Sequence, residues 1–237
     1  MRHTHVLRHL LSASLALTVA ACGGSATPPP GTASTAPASG SATPASVERP
    51  APAVKPRVVF LGDSLTAGLG LDQADAYPSL IQQKIDAAGL PYDVVNAGVS
   101  GDTSAGGLSR LDWALEGDVK VMVVALGGND GLRGLPAAEL KKNLATIIER
   151  ARARQIVVIL AGMEAPPNFG RDYITAFHNL YPELAGQYKL PLIPFLLQNV
   201  AGIERLNQRD GIHPTAEGAR IVADTVWSVL RPTLQGQ

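Results

Sequence analysis

A serine at position 64 follows directly on an apolar run, in Arg-Val-Val-Phe-Leu-Gly-Asp-Ser-Leu-Thr-Ala-Gly (57–68). Gly, Asp and Ser are ordinary turn residues. The same three residues would also suit a nucleophile held where a buried strand gives way to a loop or helix. A serine hydroxyl attacks only when a base takes its proton, and the natural base is histidine. Of the five histidines, His3, His5 and His9 fall in an N-terminal stretch that reads as a removed leader, which leaves His178 and His213. His178 lies inside a helical stretch and reads as an ordinary surface or half-buried histidine. His213 lies in Arg-Asp-Gly-Ile-His-Pro (209–214), three residues after Asp210, with Gly211 and Pro214 marking a turn. Such a turn can bring the Asp210 carboxylate to one ring nitrogen of His213, fixing the tautomer and stabilising the imidazolium. The spacing suits a plain loop with a helix cap equally well. Acyl transfer also needs donors for an oxyanion. The backbone N–H groups of Ser64 and Gly101 and the side-chain amide of Asn129 could serve. Taken alone, Gly-Gly-Asn-Asp is also turn-prone, and Gly101 also fits a turn that requires positive φ.

These residues need a frame that brings them together. Apolar runs at 57–61, 92–97, 119–126 and 156–161 read as strands, and 191–195 as a short last one. Between them, 77–89, 136–155 and 171–188 read as helices, and 214–230 follows as a helix stopped by Pro232. Strands alternating with helices predict a parallel sheet covered on both faces. Ligands of such sheets collect at the carboxyl ends of the strands. Ser64, Gly101 and Asn129 each lie just past the end of a strand, so all three are expected on one edge.

Four blocks then stand in order: Gly-Asp-Ser-Leu-Thr-Ala-Gly (62–68), Ser-Gly-Asp-Thr-Ser-Ala-Gly-Gly-Leu (100–108), Gly-Gly-Asn-Asp-Gly-Leu-Arg-Gly (127–134) and Asp-Gly-Ile-His-Pro (210–214). Their order and spacing resemble the four blocks of GDSL-type SGNH hydrolases, nearest the thioesterase, lysophospholipase and arylesterase branch, over essentially all of 57–232. The resemblance implies a three-layer α/β/α sandwich with a central, mostly parallel, flavodoxin-like sheet. It also implies Ser64 as nucleophile, Asp210 and His213 as the rest of a triad, and Ser64, Gly101 and Asn129 as oxyanion donors. No cofactor and no metal is implied. The expected substrate is a small acyl ester or thioester: an aryl ester, an acyl-thioester or a lysophospholipid. The segment 131–138, with its Gly and Pro hinges, is expected to move and to lay Leu132 and Leu135 along an acyl chain. By the same resemblance 165–170, with Pro167, borders an open groove. Two further readings are a carbohydrate O-acetylesterase, for which this aromatic-poor chain offers no evident stacking platform, and a silent acyl-binding lipoprotein.

The beginning of the chain reads differently. Arg2 and Arg8 precede a short apolar run, Leu10 to Val19, too short to span a membrane. It ends in Val-Ala-Ala-Cys, which resembles the lipobox of bacterial lipoproteins, with Cys22, the sole cysteine, as the lipidated residue. The expected organisation is a leader at 1–21, a lipidated cysteine with an Ala/Pro/Ser/Thr/Gly-rich disordered tether at 22–56, and one domain at 57–237. A lipid-anchored place in the bacterial cell envelope follows, with membrane contact through the anchor and a monomeric domain. The formal net charge is zero, but Arg2, Arg8, Arg49, Lys55 and Arg57 stand at or before the first strand residue, against Glu48 alone. The remainder therefore carries four more acids than bases, with no basic cluster, which excludes nucleic acid as an expected partner.

Overall fold

The computed structural model describes residues 55–236. The expected leader, Cys22 and the tether up to residue 54 lie outside the described residues. Pro56 already joins the sheet, its carbonyl accepting the Asp93 N–H at 3.0 Å.

Five strands form the sheet: β1 (Arg57–Gly62), β2 (Asp93–Gly98), β3 (Val119–Ala125), β4 (Val157–Ala161) and β5 (Leu192–Ile193). All are parallel, in the order β2-β1-β3-β4-β5. Val58 to Leu61 and Val121 to Val124 are fully buried, which explains why these runs are apolar without alternation. In register, Gly62 of β1 stands beside Gly98 of β2 and Ala125 of β3. Three strands thus end level, and the residues that leave them share one edge.

The helices are α1 (Ser64–Ala67), α2 (Tyr77–Ala87), α3 (Ser104–Ser109), α4 (Leu111–Ala114), α5 (Gly128–Leu132), α6 (Ala137–Ala153), α7 (Arg171–Tyr188) and α8 (Ala216–Gln235). Helix α6 buries Leu140, Leu144, Ile147, Ile148 and Ala151, one stripe at helical spacing, and starts after Pro136 at its N-cap. Helix α2 buries Ile81 and Ile85 four apart and gives way to Gly89 at φ +66°. Helix α2 packs on α8, while α6 packs on α3 and α7. Right-handed crossovers account for this split. The chain moves one way from β1 to β2 and the other way from β2 to β3, so the intervening helices fall on opposite faces. The result is the expected three-layer α/β/α sandwich, and its strand order reverses between β1 and β3. An open α/β sheet has its natural crevice at such a switch point.

Most boundaries shift by a residue or two, and the end of the chain differs from the sequence reading more plainly. The last strand is only Leu192–Ile193, and α8 runs through Pro232 to Gln235 instead of stopping. Proline removes one helical hydrogen bond and strains the preceding turn. Here Leu230 and Leu234, four apart, are both buried in the core, and that burial holds the extra turn. We expect Leu234→Ala to lower unfolding stability by about 2 kcal/mol in urea titrations. A change below about 0.5 kcal/mol, the level of an ordinary surface substitution, would show that the turn past Pro232 is not anchored by this side chain.

Candidate active site

Ser64 is the first residue of α1, separated from β1 by Asp63 alone. The turn is built for close approach: a Cβ on Gly62 would fall 2.0 Å from the Thr66 hydroxyl. Asp63 caps the short helix, its Oδ1 accepting the Leu65 N–H at 3.0 Å. Gly68, at φ +78°, ends the helix. Thr66 and Tyr77 join their hydroxyls at 2.8 Å beneath the turn. The serine is therefore held by a strand, a capped helix and a buried polar contact.

The acid and base lie in the loop before α8. One oxygen of Asp210 accepts the backbone N–H groups of Ile212 and His213, at 2.9 and 3.0 Å. The other stands 2.6 Å from His213 Nδ1. His213 Nε2 stands 2.8 Å from Ser64 Oγ. The hydrogen bond from His213, followed by the two backbone amides, pulls the Asp210 carboxyl down to about 2. An ionised carboxylate can only accept, so it places the ring proton on Nδ1 and turns the Nε2 lone pair to the serine. Gln208 pins this loop: its N–H donates to the His213 carbonyl at 2.7 Å. Its side-chain amide donates to the carbonyls of Leu69 and Pro214 at 2.8 and 2.9 Å. His178 is exposed and pairs with Glu164 at 2.7 Å, away from the triad, as its helical position implied.

The donors complete the edge. Among the described residues, neither the Ser64 nor the Gly101 N–H has an intramolecular acceptor. Gly101 stands at φ +86°, where a side chain would be strained. Asn129 lies in the first turn of α5. Its Nδ2 donates to the Asp102 carbonyl at 2.9 Å and, over a longer 3.3 Å, to Asp63 Oδ2. Arg133 donates to the Gly101 carbonyl at 2.8 Å from the exposed side. A hydroxyl, an imidazole, a carboxylate and free N–H groups thus stand together in an arrangement that can carry out acyl transfer.

Residues 60–221 match the model of the GDSL-like Lipase/Acylhydrolase family. The chain belongs to this family. It is 44% identical over 178 residues to the protein named Esterase TesA of Pseudomonas aeruginosa, covering 75% of this chain and 89% of that one. It is 37% identical over 176 residues to Thioesterase 1/protease 1/lysophospholipase L1 of Escherichia coli K12, covering 74% and 83%. The crystal structure of TesA superposes with a TM-score of 0.71 at 44% identity, covering 74% of this chain and 98% of that one.

As a GDSL-like acylhydrolase the chain also needs room for an acyl group. An open groove of about 330 Å³ runs beside the serine turn, lined by Leu65, Leu132, Met163, Pro167, Phe195, Leu197 and Ile212 among others. Leu132 and Pro167 both line this groove. Leu135 does not line this groove; its carbonyl takes the Tyr173 hydroxyl at 2.8 Å. Nor is 131–138 a free loop from its start: Gly131 and Leu132 close α5, and the Leu135 N–H bonds back to the Asp130 carbonyl at 2.9 Å. Sequence reasoning missed Asp63, Asp102, Arg110, Arg133 and Gln208 as supports. For Asp63 a signal existed, an acid directly before the serine at a strand end. The others depend on partners distant in sequence.

Asp63 is buried, and burial raises its carboxyl from 3.8 to about 6, against the lowering effect of Leu65, His213 and Asn129. Between those values the folded protein holds a proton that the unfolded chain has released. Asp63 therefore takes stability away as pH rises from about 4 to 6. Asp210 acts in the opposite sense at lower pH: its contribution is present above about 4 and is lost as pH falls toward 2. In urea titrations across pH 4–7, Asp63→Asn should gain on the wild type by on the order of 2–3 kcal/mol as pH rises. A pH-independent difference would show that Asp63 does not titrate in this window.

Proposed function

We propose that this GDSL-like acylhydrolase cleaves carboxylic esters and thioesters of single acyl chains through an acyl-enzyme at Ser64. The observation that carries the reading is the continuous contact from Asp210 through His213 to Ser64, at 2.6 and 2.8 Å. His213 Nε2 takes the hydroxyl proton as Oγ attacks the substrate carbonyl. The N–H groups of Ser64 and Gly101 and the Asn129 amide receive the oxyanion, the amide exchanging one of its resting acceptors for it. Collapse expels the alcohol or thiol, which takes the proton from Nε2. Water then repeats the sequence and frees the carboxylic acid.

The apolar, open groove fits an acyl chain and leaves varied leaving groups unobstructed, so aryl esters, acyl-thioesters and lysophospholipids are the proposed substrates. The names of the Pseudomonas and Escherichia relatives point the same way. A panel of acyl esters, acyl-thioesters and acetylated sugars tests this. Ester and thioester turnover should appear in the wild type and vanish in Ser64→Ala, and a fluorophosphonate probe should label only the former. Labelling at another serine, or turnover confined to acetylated sugars, would overturn the reading.

Chain length is read by Leu132. It is 45% exposed, yet lines the groove together with Ile212 and Pro167. Leu132→Ala should lower kcat/KM for an octanoyl ester several-fold, since about 1–2 kcal/mol of apolar contact is lost, and leave an acetyl ester nearly unchanged. Equal effects on both would show that this side chain does not meet the acyl chain.

We propose further that Cys22 carries lipid and tethers a monomeric domain in the cell envelope. The support is the sequence alone: a basic start, a short apolar run and Val-Ala-Ala-Cys. Metabolic palmitate should label the wild type and not Cys22→Ser, and the variant should leave the membrane fraction. An unlabelled wild type would remove the anchor.

A further inference from the structure

Helix α3 stops at Ser109 and α4 starts at Leu111, so Arg110 sits at a break between them, at φ −108° and ψ 12°. Its side chain reaches back to the strand ends. Nε donates to Asp102 Oδ2 at 2.6 Å, and Nη2 donates to the Gly62 carbonyl at 2.9 Å. One guanidinium thus touches the residue two before the nucleophile and the residue directly after Gly101. The Asp102 carbonyl in turn accepts the Asn129 amide at 2.9 Å. Every donor in the oxyanion reading lies within two residues of an Arg110 contact or hangs on one.

We propose that Arg110 is a positioning residue for the oxyanion hole: it fixes the Gly101 loop against the end of β1 and, through Asp102, aims the Asn129 amide. This rests on the reading of Gly101 and Asn129 given above. Stability does not account for the pair. Arg110 and Asp102 side chains are only 17% and 18% exposed, and burying an ion pair rarely yields net stability even when its geometry is good. The guanidinium also leaves Nη1 buried without an acceptor among the described residues. It is placed for its two contacts and not for full satisfaction of its donors. The neighbourhood makes room for its Asp102 partner: a Cβ on Gly106 would fall 2.7 Å from Asp102 Oδ1. Only a planar fork spans both acceptors at once, and a lysine ammonium does not reproduce that geometry.

The test is a double-mutant cycle with a short aryl ester, using Arg110→Gln, Asn129→Ala and both together, each checked for fold by circular dichroism. Arg110→Gln should lower kcat about 10–100-fold, as for a displacement of reacting groups on the order of 1 Å, with KM unchanged within about twofold. On the Asn129→Ala background its effect should shrink to a few-fold at most, since the amide it aims is gone. If the glutamine variant does not fold, the cycle is run with Arg110→Lys, which keeps the charge beside Asp102. Additive losses, a pure KM effect, or failure of both variants to fold would assign Arg110 to structure alone. An Asn129→Ala variant with unchanged kcat would remove the oxyanion reading itself and this role with it. A large Asn129→Ala loss with additive Arg110 effects would overturn the Arg110 role and leave the oxyanion reading standing.

Discussion

The contact between His213 Nε2 and Ser64 Oγ joins residues 149 positions apart at 2.8 Å. A single hydrogen bond, worth on the order of 1 kcal/mol net, does not hold two such distant segments together. Both must arrive already fixed. At one end, β1 lies between two parallel neighbours and hands the chain to a capped four-residue helix. At the other, Asp210 collects two backbone amides, Gln208 ties the loop to Leu69, and α8 starts on a Thr215 cap and packs on α2. The contact is a consequence of the fold, which ties down both segments where the contact requires it.

The same edge gathers buried charge. Asp63 and Asp130 are almost fully buried, and the Arg110–Asp102 pair is mostly so. Asp130 is fully answered: its two oxygens take the Ser104 N–H and hydroxyl at 2.8 and 2.6 Å, and Asn143 backs the hydroxyl at 3.0 Å. That binds α5, which follows β3, to the start of α3. Apolar packing is non-directional and tolerates small slides, whereas a carboxylate with two defined donors does not. A sheet edge that must aim several N–H groups at one point benefits from directional ties, even where they add little to stability. Asp63 is the case in which the burden remains visible, since its carboxyl is raised by burial despite three favourable neighbours.

What could be read in the sequence follows from the range of each interaction. The buried strands show as apolar runs, and Ser64, Asp210 and His213 sit in short segments whose local chemistry suits a nucleophile, an acid and a base but suits turns and caps as well. The four ordered blocks then remove the ambiguity that each has alone. The supports were not legible because their partners are remote: Gln208 meets Leu69 across 139 positions, and Arg110 meets Gly62 across 48. The end of α8 was misread for a related reason. Proline is a local signal, and the burial of Leu234 that outweighs it is tertiary.

The two sides of the site therefore obey different physics. Charge develops on the oxygen of the substrate carbonyl at a fixed point, and a donor displaced by an ångström loses most of its effect. The acyl chain develops no charge, and its gain grows with each buried methylene, roughly 0.8 kcal/mol apiece. A groove drawn from separate segments, with Leu65 from α1, Leu132 from α5, Pro167 after β4 and Ile212 from the histidine loop, meets that need without directional ties. Its openness lets a longer chain run on instead of meeting a wall. Chain-length preference in such a site is graded, set by how many side chains the substrate covers, while reactivity is set by an edge that does not change with the chain. Substitutions in the groove should shift preference without touching chemistry, and substitutions among the buried ties should do the reverse.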